Sequence, residues 1–358
     1  MFGSLRFYLA VLVVLTHILG LSYIGQFAVF GFYTLSGYLM TLIMKESYQY
    51  SPLGFMSFWK NRALRLLPTY WVASILALGI IVWIGVENIS QYNPRMGIPN
   101  DISSWFQNVF IVFVSLNPFE VAPRLTTVSW AITVEIFFYA LISLGLARSL
   151  KTVIPWVILS IAYHIFSFSF DLHYNSRYMP LAAASLPFSI GALIYHIKSK
   201  PIKFLENLRG QHWLLIFLLC LSFIPFQILV QGNRAQLVSP EIFSSILDVV
   251  FYITYLIIAL SIYSMATMAS FKSFIPKKLD KLLGDLSYPL YLFHLQIAYF
   301  VSYVIYERPI KGLHEEGIVV FTVTMVASII IGLVVLKFIE QPIDRVRLRI
   351  KTKASNSQ

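Results

Sequence analysis

Arg6 and His17 stand eleven residues apart in the opening run LRFYLAVLVVLTHI. That spacing is about 1100° of helical rotation, only about 20° past three full turns, so both side chains share one face. It also lifts the imidazole about 16 Å beyond the guanidinium. A cationic anchor at one end of a groove and a titratable ring deep within it could hold an anion and move a proton. The blander reading makes Arg6 a topology marker and His17 a hydrogen-bonded core residue.

Three further stretches carry chemistry. In VSWAITVEIFFYAL, Glu135 counts to about the same depth as His17, which predicts that the carboxylate orients the imidazole for general-base work; a buried structural ion pair is the alternative. In FMSFWKNRALRLLPTYW, Arg62 and Arg65 lie three apart on one helical face beside Lys60, a grouping suited to phosphate. In LLGDLSYPLYLFHLQ, Pro289 disturbs a helix near Ser287 and Tyr288, and His294 falls near mid-span, where an imidazole needs a partner. His164 has no comparable context and reads as structural or cavity-lining. Cys220 is a lone packing cysteine, so no disulfide forms within the chain, and no ligand spacing for a metal appears.

The elements that must position these residues are membrane helices. Of 358 residues, 58% are hydrophobic and 12% charged, with mean hydropathy +0.74, whereas a soluble domain carries about a quarter charged residues. The fold class is therefore all-α integral membrane. About ten spans are predicted, at roughly 5–24, 27–44, 68–86, 127–147, 153–170, 178–196, 212–230, 245–268, 284–305 and 317–338. The first has no cleavage site and reads as a retained helix. SSWFQNVFIVFVSLN, 103–117, is too short to cross and is expected to be a re-entrant or interfacial helix. Residues 1–345 form the membrane domain and 346–358 a short basic tail, whose last dozen residues are expected to lack structure.

The net charge of +11 is mainly a topology signal. Of the 27 Lys and Arg, only Arg95, Arg124, Arg177, Arg234, Arg308 and Lys311 fall on the side opposite the termini. The positive-inside rule then places both termini in the cytoplasm, with anionic lipid or a polyanionic cytosolic substrate as a second use of the basic face. Nucleic-acid binding drops out. A transporter or flippase of a glycan or lipid precursor is the competing reading, but it commonly carries paired half-repeats with broken helices, and none is visible.

The motifs together resemble the acyltransferase-3 family of integral-membrane O-acyltransferases, found mostly in bacteria. They occur in the family's order over nearly the whole length: Arg6 and His17, FYTLSGYLM, FWKNRALRLLPTYW, SWAITVEIFFY, LGDLSYPLYLFH, and FIEQPID with Glu340 and Pro342. The resemblance implies transfer of an acyl group, commonly acetyl, from acyl-CoA to a hydroxyl of an envelope polysaccharide or lipid-linked glycan at the inner membrane. It maps the family's Arg, His and Glu onto Arg6, His17 and Glu135. On that reading Arg62, Arg65 and Lys60 would meet the donor's phosphates. His17 would act as general base or transient acyl carrier, and Trp130, Ser287, Tyr288 and His294 are oxyanion or substrate candidates. The loops 87–104, 171–177, 231–244 and 306–316 are expected to select the acceptor. Some members add an SGNH-type esterase-like domain; with the chain ending at Gln358, this one is expected to stand alone.

Overall fold

The computed structural model describes residues 2–200, 207–208, 211–237, 239–267 and 275–356. Parts of the predicted cytoplasmic segments 197–211, with Lys203, and 269–283, and the last two tail residues, lie outside the described residues. Among the described residues thirteen α-helices follow in order: α1 (Phe2–Leu19), α2 (Ile24–Ile43), α3 (Pro52–Ile84), α4 (Val86–Tyr92), α5 (Ile102–Phe110), α6 (Trp130–Ser143), α7 (Leu150–Ser169), α8 (Leu181–Ile197), α9 (His212–Arg234), α10 (Pro240–Ala266), α11 (Lys277–Tyr306), α12 (Glu315–Val335) and α13 (Gln341–Asn356). No strand occurs among the described residues. Eight described helical stretches are long and apolar enough to cross a membrane. The predicted spans at 127–147 and 212–230 are helical too, as α6 and α9, although α6 has only 14 residues. Large apolar side chains such as Ile158, Leu159, Phe217, Val326 and Ile330 remain exposed on the helices, as a lipid-facing surface requires. The protein is a multi-pass membrane protein.

Two glycine contacts set the centre of the bundle. On the facing surfaces of α2 and α8, a Cβ at Gly37 would sit 2.3 Å from the Phe188 carbonyl oxygen, and one at Gly191 would sit 2.1 Å from that of Thr34. On α1 and α11, a Cβ at Gly284 would lie 2.7 Å from the Gly3 Cα. Small residues let membrane helices pack backbone to backbone. Here they fix α1 beside α11, running in parallel, so that His17 meets His294. Ser4 strengthens the same join through its backbone N–H, 2.9 Å from Asp280 Oδ1.

Helix α3 merges what the sequence divides. The basic stretch and the span after it form one helix of 33 residues, capped by Ser51 and passing through Pro68. At about 50 Å it exceeds a hydrocarbon core of about 30 Å, which leaves the turns bearing Lys60, Arg62 and Arg65 at the amino-terminal end.

The segment expected to be re-entrant is a nine-residue helix, α5, followed by non-helical chain. Ile111, Phe113, Pro118 and the stretch Arg124–Ser129 are buried outside any α-helix, so the carbonyls of this loop need donors. Arg124, only 1% exposed, supplies several: its guanidinium donates to the carbonyls of Thr127 (3.2 Å), Pro118 (3.3 Å), Phe119 (3.0 Å) and Val121. Burial lowers its pKa to about 10, which leaves it charged at neutral pH. Asn108 donates to the carbonyls of Ser104 and Pro123 and accepts from the Leu125 N–H. Thr133 donates to the Ile111 carbonyl at 2.7 Å. A non-helical loop inside the protein is thereby satisfied, and it delays the start of α6 to Trp130.

At the other end the structure differs from the tail read as unstructured. The chain leaves α12 through a π-helical turn, Leu336–Glu340, and continues as α13 to Asn356, packed against α3.

Candidate active site

Three cavities succeed one another along α1. The first, about 450 Å³ at the amino-terminal end, is lined by Arg6, Asn61, Arg62, Arg65, Lys281, Asp285, Asp344, Arg347 and Lys351, among others. The second, about 120 Å³, shares Arg6, Met40, Arg62 and Arg65 with the first and adds Ser36, Glu135, Tyr139, Ser287, Tyr288 and Tyr291. The third, about 320 Å³, shares Val29 and Tyr291 with the second and holds His17, Gln26, Arg95, Arg124, Trp130, Tyr178, Tyr299 and Lys311. Arg6 and His17 thus mark the two ends of this series, as their helical spacing requires.

His17 is paired with His294. Its Nδ1 lies 2.8 Å from His294 Nε2, and the rings are parallel within 5°. His294 is fully buried, and its Nδ1 lies 2.8 Å from the Tyr291 carbonyl oxygen and 3.2 Å from that of Leu290. Carbonyls only accept, so in the neutral pair His294 Nδ1 carries the proton and its Nε2 is the acceptor. His17 Nδ1–H must then donate, which leaves the lone pair on His17 Nε2. A backbone-anchored histidine fixes the tautomer of the ring that lines the third cavity.

Glu135 does not occupy the orienting position that depth counting assigned to it. Its carboxylate accepts from Ser36 Oγ and Tyr139 OH, each at 2.8 Å, and its cationic neighbours are Arg6 and Arg62. The difference comes from the buried loop: α6 starts at Trp130, beside the third cavity, so Glu135 lies about 7.5 Å further along, in the second. Counting from a span beginning at 127 in the outer membrane surface set the residue too far out.

The basic residues also separate by partner. Arg65 donates to Glu340 (2.7 Å), which also accepts from Thr69 (2.9 Å). Its charge is thus held by a carboxylate. Arg62 reaches the Met40 sulfur at 3.7 Å and lies over the Phe58 ring, 5.8 Å from its centroid, and its buried Nε has no acceptor. No described residue forms an ion pair or hydrogen bond with Arg6. Lys60 is exposed and lines none of the three cavities. Two unpaired guanidiniums, Arg6 and Arg62, therefore border the passage between the first two cavities, a ready site for an anion.

Of the oxyanion candidates, Trp130 shares the third cavity with His17. Ser287 and Tyr288 line the second, with their hydroxyls donating to the carbonyls of Gly284 and Leu66. Sequence reasoning passed over Ser36, Tyr139, Tyr291, Arg124 and Arg347. Tyr139 was legible as the i+4 neighbour of Glu135 on its helix face; the others depend on which helices meet. His164, read as structural or cavity-lining, bonds Tyr252 OH at 2.7 Å and the Ala183 carbonyl oxygen at 3.2 Å and lines none of the three cavities.

The bundle thus sets an oriented imidazole in the third cavity and two guanidiniums without carboxylate partners between the first two. The chain belongs to the acyltransferase-3 family: the family model, described as an acyltransferase domain, matches residues 3–337. It is also similar to the O-acetyltransferase OatA of Staphylococcus aureus, for example of strains NCTC 8325 and COL, at 24% identity over 340 residues. That match covers 90% of this chain and 53% of the relative, so the chain spans about half the length of the curated relatives it matches. No solved structure matches it.

Proposed function

We propose that the protein transfers an acyl group, acetyl by default, from acyl-CoA to a hydroxyl of a cell-envelope glycan. The observation that carries this reading is the His17–His294 pair facing a polar, aromatic-lined cavity in a chain with an acyltransferase domain. The amino-terminal face is cytoplasmic by its excess of Lys and Arg. Acyl-CoA enters there, its phosphates meet Arg62 and Arg6, and its thin pantetheine arm extends through the second cavity toward His17. The acceptor occupies the third cavity, where Trp130, Tyr178 and Tyr299 offer flat faces to a sugar and Gln26 a hydrogen-bonding edge.

His17 Nε2 takes the acceptor O–H proton as the oxygen attacks the thioester carbonyl. The tetrahedral intermediate then collapses, the C–S bond breaks, and the imidazolium returns the proton to the CoA thiolate. The same lone pair would serve if the ring itself carried the acyl group between two half-reactions. Glu135 acts one cavity earlier: accepting from Ser36 and Tyr139, it balances the charge of Arg6 and Arg62 and keeps the passage polar.

The test is transfer of label from radiolabelled acetyl-CoA in membranes holding wild type or His17→Ala, with insertion of each confirmed. Loss of about 10²- to 10⁴-fold is expected for the variant, the range for a general base. A wild-type rate in properly inserted His17→Ala would overturn the proposal.

A further inference from the structure

The sequence assigns the basic residues of the carboxy-terminal segment to topology, but α13 presents them unevenly. Asp344, Arg347, Leu348 and Lys351 all line the first cavity, at the i, i+3, i+4, i+7 spacing of one helix face. Arg345 and Arg349, one turn apart on another face, line none of the three cavities, and it is this placement and not exposure that separates them from Lys351, which is exposed as well. Facing the inner stripe are Arg62 and Asn61 of α3 and Arg6 of α1. The cavity wall carries six cationic side chains against two carboxylates, Asp285 and Asp344. Those carboxylates pair with Lys281 and Arg347, and Arg65 is held by Glu340. Arg6, Arg62 and Lys351 have no carboxylate partner among the described residues. The buried Nε atoms of both Arg62 and Arg347 lack an acceptor. Donors without protein acceptors, around a 450 Å³ space, suit a ligand bearing several anionic oxygens.

We propose that α13 is one wall of a nucleotide-phosphate site, in which Arg347 and Lys351 join Arg62 to hold a phosphorylated nucleoside, the polar end of the CoA donor. The inference rests on the donor reading above and adds a binding role for the carboxy-terminal helix. Once the phosphates are seated at this wall, the acyl end of the donor points along α1 toward His17.

The experiment titrates CoA and adenosine 3′,5′-bisphosphate into the purified full chain in nanodiscs of zwitterionic lipid. Wild type is compared with Arg347→Gln/Lys351→Gln and with the same charge change on the exposed face, Arg345→Gln/Arg349→Gln. The inner pair is expected to weaken both ligands by about 10-fold or more, the loss that follows from removing charge-assisted hydrogen bonds. The outer pair is expected to change them by no more than about twofold, as screened charges do. Equal losses in both variants would show a general field and sink the site. Unchanged affinity in the inner pair, with wild type still binding CoA, would overturn the role of α13 and leave the donor reading standing. Failure of wild type to bind either ligand would overturn both. A last arm adds phosphatidylglycerol to the nanodiscs: if the inner pair alters only the response to that lipid, with nucleotide affinity unchanged, the anion is a headgroup and the proposal fails.

Discussion

At the scale of single residues, the chemistry turns on which imidazole nitrogen is free. His294 is pinned by two backbone carbonyls, so its Nε2 accepts from His17 and the proton inventory of the pair is set before any substrate arrives. This predicts that His294→Leu lowers kcat by about 10²-fold, within the usual range for general-base catalysis, with little change in the KM for acetyl-CoA. His294→Gln, whose side-chain oxygen can replace the Nε2 acceptor, is expected to recover part of the loss. Equal rates for wild type and His294→Leu would remove the pair from the mechanism. Glu135, in the second cavity with Ser36 and Tyr139, is expected to affect the KM for acetyl-CoA more than kcat when replaced by Gln. A kcat loss as large as that of His17→Ala, measured in the same label-transfer assay, would return it to the reacting centre.

At the scale of elements, the site depends on helices brought unusually close. Gly37 and Gly191 allow α2 to lie on α8 with no room for a side chain between them. Gly191→Val should therefore destabilise the detergent-solubilised protein by about 1–3 kcal/mol or more, as overpacking does, read as a lowered thermal unfolding temperature. Gly79 on α3 has no atom within 4 Å of an added Cβ, and Gly79→Ala should leave stability within about 1 kcal/mol of wild type. An unfolding temperature for Gly191→Val equal to wild type would mean that the two helices can separate without loss. The short α6 belongs to the same scale: the buried loop ahead of it, held by Arg124, decides which cavity Glu135 enters.

At the scale of the whole molecule, the cavity series gives the bundle a direction. The first cavity opens beside α13 and the third lies at the far end of α1, lined by aromatic groups together with Arg95, Arg124 and Lys311, so on the proposed reading the two ligands are expected to approach from opposite faces. In a Cys220→Ser background, Glu87→Cys on α4 should react with an impermeant maleimide in intact cells. Arg345→Cys on α13 should react only after permeabilisation. The reverse pattern would invert the orientation and place the third cavity in the cytoplasm.

The amino-acid sequence by itself determined the membrane class, the positions of the apolar helices and the shared face of Arg6 and His17, because hydropathy and helical periodicity act within one segment and need no neighbour. It also marked Glu135, Arg62 and His294 as polar groups in places where polarity is costly. Partnership was different. That His17 meets His294 and not Glu135, that Arg65 is held by Glu340 while Arg62 stays free, and that the tail folds back as a wall of the mouth were decided only by the tertiary structure. Each depends on the register between helices distant in sequence, fixed by backbone contacts such as Gly3 with Gly284 and by a buried irregular loop whose carbonyls find their donors only in the folded protein.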